Sequence, residues 1–98
     1  MPTFIQLTNF TEHGIENIEE SPERLDEVKA DVEAMGGEFH GFYMTFGRYD
    51  AVGIGSFPDA ETAMQFSIAL NQAGEVETET LLAFPEEEYR DVIAGLPD

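Results

Sequence analysis

The sequence predicts one α+β domain built in the order β-α-β-β-α-β, with a short helix at its C-terminal end. Three observations carry this. Apolar, aromatic and β-branched residues are concentrated in Thr3 to Phe10, Phe39 to Phe46, Ala51 to Phe57 and Val76 to Phe84, short segments of strand character. Between them, Leu25, Val28, Val32 and Met35, and later Ala63, Phe66, Leu70 and Ala73, recur at helical spacing. Both helical segments run into glycine, Gly36-Gly37 and Gly74, the residue that most readily terminates a helix.

The elements follow in order. In Thr3 to Phe10, Ile5 and Leu7 alternate with Phe4, Gln6, Thr8 and Phe10, giving a strand with unlike faces. Ile15 and Ile18 mark a short turn before the first long helix, for which Ser21 is a candidate cap and Pro22 a first-turn residue. Two strands then flank Gly47-Arg48, and Asp59 is placed to cap the second long helix. The last strand is threonine-rich, with Glu75, Glu77 and Glu79 alternating, and Pro85-Glu86-Glu87-Glu88 opens a helix carrying Tyr89, Val92 and Ile93. This order is the ferredoxin-like split βαβ arrangement. Right-handed crossovers place both long helices on one face of a four-stranded antiparallel sheet and leave the other face bare.

A two-residue turn with Gly47 in its first central position sets a hairpin register. It pairs Phe46 with Tyr49, Thr45 with Asp50, Met44 with Ala51, Phe42 with Gly53 and His40 with Gly55, so large residues oppose small ones. On this reading Val52, Ile54, Ile5 and Leu7 face the helices. Phe42, Met44, Phe46 and Tyr49 then share the bare face with Phe4, Gln6 and Thr8. An apolar patch of that size calls for a cover, and a second copy is the simplest one, which predicts a homodimer or higher homo-oligomer. Gly53 and Gly55 remove side-chain volume beneath Phe42 and His40. They either leave a pocket for a small organic ligand between sheet and partner or serve close backbone packing.

Charge limits the possible partners. The 98 residues hold 4 Lys plus Arg against 21 Asp plus Glu, a formal net charge of -17. Such a surface repels phosphate backbones and anionic headgroups, so nucleic acid and membranes are not expected partners. Self-repulsion of this size is relieved at molar salt, where the Debye length falls to about 3 Å, which fits an acidic protein of a salt-rich, halophilic interior. A hydrophobic share of 42% is too high for a disordered acidic tail, and the length suits a single domain over residues 1–98. Cysteine is absent, which removes disulfides, thiolate ligands and thiol nucleophiles. No apolar run approaches the ~20 residues of a membrane span, and the N-terminal stretch lacks the pattern of a secretion signal. A cytoplasmic location is expected.

Few residues offer chemistry. The candidate ligand-binding set is Gln6, His40, Phe42, Arg48, Tyr49 and Asp50. Tyr49 and Asp50 can present a phenol and a carboxylate at the hairpin end with Arg48 as an anion clamp. They can equally serve the turn, tyrosine covering the apolar face and aspartate accepting hydrogen bonds from Thr45 or the turn backbone. His40 is the candidate proton carrier, because imidazole titrates near neutrality. His13 reads as a loop residue. No catalytic residue, metal site or cofactor is assigned: there is no triad, phosphate loop or paired-histidine motif, and the acidic runs lack calcium-loop spacing.

The stretches FIQLTNFTEHGIENIEESPERL, FYMTFGRYDAVGIGSFPD and ETETLLAFPEEEY span nearly the whole chain and resemble the GYD domain family, with Gly47, Tyr49 and Asp50 at the signature positions and Arg48 between them. The resemblance implies a dimeric α/β-barrel of ferredoxin-like subunits and brings no established activity. Two functions are compatible with it. One is a small-ligand-binding or regulatory module. The other is a cofactor-free enzyme, since similar dimeric barrels include monooxygenases and isomerases that use a cavity on the open face.

Overall fold

The computed structural model describes residues 1–98 and places four antiparallel strands in the spatial order β2-β3-β1-β4. The first strand, β1 (Thr3–Phe10), is central. A short helix α1 (Glu12–Glu16) and a 3-10 turn (Ile18–Glu20) lead into the long helix α2 (Ser21–Ala34). The hairpin β2 (Glu38–Met44) and β3 (Ala51–Ser56) follows, then α3 (Ala60–Gln72), β4 (Val76–Ala83) and α4 (Glu86–Ala94). The expected α+β order with four antiparallel strands is therefore present, with four helices.

Local chemistry explains the boundaries. The Thr11 hydroxyl accepts from the Gly14 N–H at 3.1 Å and caps α1. Asp59 caps α3, its Oδ1 accepting from the Thr62 backbone N–H and hydroxyl, both at 2.7 Å. The Thr62 backbone bond, followed by its hydroxyl bond, favours the ionised form and holds the Asp59 carboxyl below the ordinary aspartate range. Gly36 and Gly74, at φ 82 and 85, end the two long helices in the left-handed region that glycine enters without strain. Ser21 does not cap α2. The 3-10 turn feeds directly into the helix, Ser21 already has helical φ -59 and ψ -35, and no side-chain cap bond forms there.

The core lies between the sheet and the two long helices. Phe4, Val32, Phe57, Ala63 and Phe66 form it, with Val28, Met35, Phe39 and Leu70 packed around them. The Phe57 ring centroid is 5.1 Å from that of Phe66 and 6.1 Å from that of Phe4, tilted contacts suited to aromatic quadrupoles.

This arrangement reverses the expected faces. Phe4 and Gln6 are buried against the helices, and β1 pairs Phe4 with Gly55, Gln6 with Gly53 and Thr8 with Ala51. Phe42 and Met44 pair with Gly53 and Ala51 and so share this helix-covered side. Ile5 and Leu7 pair with Ile54 and Val52 on one side and with Leu81 and Glu79 on the other, and the bare face carries these residues together with Tyr43, which pairs with Val52. A polar bridge decides the matter: the Gln6 amide donates to Ser67 of α3 at 2.9 Å and accepts from the Thr80 hydroxyl at 2.8 Å. A buried amide goes where its hydrogen bonds are, and those partners are 61 and 74 residues away.

Candidate functional site

The β2-β3 hairpin is closed by Thr45 N–H donating to the Asp50 carbonyl at 2.9 Å, with Gly47 at φ 97. That φ lies where a side chain would strain the backbone, which accounts for the glycine. The Phe42–Gly53 and Met44–Ala51 pairs agree with the expected register, but His40 does not face Gly55. A bulge between Phe39 and Gly41 puts Phe39 opposite Gly55 instead. His40 turns to the bare face, where its Nε2 lies 2.7 Å from the Ser56 hydroxyl, which in turn is 3.4 Å from that of Thr3.

Tyr49 and Asp50 tie the hairpin to the rest of the sheet. One Asp50 carboxylate oxygen accepts from the Phe10 N–H at 2.9 Å, and the Asp50 N–H is shared by the Thr8 carbonyl at 2.9 Å and the Asn9 side chain at 3.1 Å. The Thr45 hydroxyl donates to the Tyr49 carbonyl at 2.6 Å, and the Tyr49 phenol donates to Glu79 on β4 at 3.2 Å. Asp50 thus fastens the hairpin end to the end of β1, while Tyr49 spans β1 to reach β4. Arg48 lies 6.0 Å from the Tyr49 ring centroid, in cation–π range, and Phe46 beside it is fully exposed.

Asp50→Asn keeps the side-chain volume and weakens a charge-assisted bond to a backbone donor. It should lower unfolding stability by about 1 kcal/mol. Tyr49→Phe loses only an exposed bond and should cost less than about 0.5 kcal/mol. Urea unfolding of both variants checks this ordering, and a midpoint unchanged by Asp50→Asn would remove the fastening role.

The six sequence candidates therefore divide among three places. His40 is on the bare face; Gln6 and Phe42 are on the helix side; Arg48, Tyr49 and Asp50 belong to the hairpin end. What sequence reasoning missed is the set of partners: Ser56 for His40, Glu79 for Tyr49 and Phe10 for Asp50. None of the three carries a local signal, since each depends on strand pairing or on the bulge in β2.

The helix side also holds a cavity of ≈ 660 Å³ between α2, α3 and the sheet. Its lining includes Phe4, Phe42, Val28 and Leu70 above a floor containing Gly53 and Gly55. No group of three or more His, Asp or Glu residues is arranged to hold a metal ion. No helix is long and apolar enough to cross a membrane.

A protein of Thermus thermophilus named "Glutamine synthetase and cystathionine beta-lyase binding protein" is 37% identical to the chain over 97 residues, which cover 98% of this chain and 99% of that protein. No solved structure matches the chain. The GYD domain model matches residues 4–93, from the first core phenylalanine to the last helix, and the chain belongs to the GYD domain family.

Proposed function

We infer that this protein is a regulatory binding module: two copies close their bare sheet faces into a dimeric α/β-barrel, and the dimer docks on a metabolic enzyme in a salt-rich cytoplasm. The carrying observation is surface left over. The accessible area is 6811 Å² for a 10.9 kDa chain, whereas a compact monomer of that mass exposes about 5,600 Å². The difference is about 1,200 Å², and a stable interface removes about 800 Å² from each partner.

The middle of the bare face is apolar, with Ile5, Leu7, Val52 and Ile54 and with Leu81 and Tyr43 beside them, while Glu77 and Glu79 of β4 lie towards its edge. Within such a barrel His40 would lie at the enclosed surface, available to a small ligand. Arg48, Tyr49 and the exposed Phe46 stand at the hairpin end, the residue types that dominate protein docking. The name of the Thermus relative supports an enzyme as the docked partner.

Ile54→Asp tests the assembly. It places a charge at the centre of the face and should turn a dimer into a monomer in sedimentation at molar KCl, weakening association at least 100-fold, about 2.7 kcal/mol. A wild-type monomer in that brine overturns the dimer. Co-elution of the wild-type protein with glutamine synthetase or cystathionine β-lyase of its own organism tests the regulatory reading, and separate elution from both overturns it.

The alternative, a cofactor-free enzyme, is favoured by one observation, the 2.7 Å contact between His40 and Ser56. A working base needs a third group to orient its ring. His40 has Ser56 as its hydrogen-bond partner and no carboxylate beyond it. The regulatory reading is therefore the stronger one.

A further inference from the structure

We propose that the cavity between α2, α3 and the sheet is a binding site for a neutral, predominantly apolar small molecule, such as a medium-chain alcohol or an uncharged aromatic compound. The site lies on the opposite side of the sheet from the face assigned to dimerisation, so it stands or falls independently of that assembly.

The floor carries the argument. Gly53 sits between Gln6 on β1 and Phe42 on β2, on the helix side, and a Cβ placed on it would meet no atom within 4 Å. Its φ is outside the left-handed region, so backbone conformation does not require glycine there. Close packing does not require it either. Neighbouring Gly55 differs, since a Cβ there would come within 3.0 Å of the Glu38 carbonyl. Gly53 is thus glycine where the fold asks for nothing small, above a space of ≈ 660 Å³, within the size range of small-molecule pockets.

The walls define the ligand. Phe4, Phe42, Val28 and Leu70 offer apolar contact, the kind of wall that takes apolar guests. The polar group on the floor, Gln6, already has both ends engaged by Ser67 and Thr80. It leaves one donor and one acceptor direction for a hydroxyl or similar uncharged group. Anions are refused. Glu27, Asp31 and Glu75 stand at the rim, and the rim's cation, Arg24, is already paired with Glu75 and lies 3.7 Å from Glu20.

Titration of the full-length protein with the uncharged fluorophore N-phenyl-1-naphthylamine, at molar KCl, tests the site. Saturable binding of one probe per chain is expected, displaced by dodecanol and at least tenfold less effectively by laurate. Gly53→Leu fills the space and should weaken probe binding at least tenfold while circular dichroism is retained. Leu70→Trp, narrowing the cleft from the helix side, should do the same without altering the sheet. Equal binding by wild type and both variants overturns the site, and equal displacement by laurate overturns the ligand class. Probe binding that appears only after Tyr89→Ser and Ile93→Ser strip the apolar side of α4 would make the cavity the seat of another copy's C-terminal helix, and would also overturn the proposal.

Discussion

Phe57→Ala should destabilise the domain by about 3–5 kcal/mol, the cost typical of deleting a buried aromatic ring from a core. Phe57 is 2% exposed and touches both Phe4 of β1 and Phe66 of α3, so its ring is the piece through which sheet and helix meet. Little else can take over. The buried apolar core is Phe4, Val32, Ala51, Phe57, Ala63 and Phe66, and two of those six are alanines. Against a total stability of about 5–15 kcal/mol, such a loss leaves the variant partly unfolded at moderate temperature. Phe57→Leu retains most of the volume and should cost about 1.5 kcal/mol. Urea denaturation at fixed high salt measures both, and a loss below about 1 kcal/mol for the alanine variant would show that the core closes without this ring.

Gly14→Ala should be nearly as damaging, by roughly 3 kcal/mol, although it adds a single methyl group. The added Cβ would lie 2.0 Å from the Glu75 carbonyl oxygen, a separation no real pair of atoms keeps. That oxygen is not free to retreat. It accepts from the Thr11 N–H at 3.1 Å, and the adjoining Gly74 carbonyl accepts from the Thr11 hydroxyl at 2.6 Å. The methyl group must therefore push α1 away from the turn that precedes β4 and break this joint. Gly41→Ala is the matched control. Its Cβ would meet only Tyr43 at 3.6 Å, ordinary contact distance, and the change should stay within about 0.5 kcal/mol. Equal midpoints for the two variants would refute the steric account.

Much of the architecture was legible because the residues that decide it are close in sequence. Gly36 and Gly74 stop the helices within one turn of their last apolar residues, Asp59 finds Thr62 three positions on, and Gly47 sets the hairpin whose Phe42–Gly53 and Met44–Ala51 pairs are observed. The faces of β1 were not legible, since both of its alternating sets contain large apolar residues. What separates them is the bonding of Gln6 to Ser67 and Thr80, which no local pattern encodes. The position of His40 was hidden for a different reason. A bulge adds one residue and turns every side chain beyond it, and nothing in Phe39-His40-Gly41 announces it. The partners of Tyr49 and Asp50 likewise depend on where β1 and β4 lie in space.

The C-terminal helix has a mechanical consequence. From Phe84 onward every residue is exposed, and α4 carries Tyr89, Val92 and Ile93 on a segment joined to the body through Pro85 at the end of an edge strand. Gripping such a lever by another body would require no unfolding, because no buried contact within the subunit has to break first. The helix is a handle already shaped.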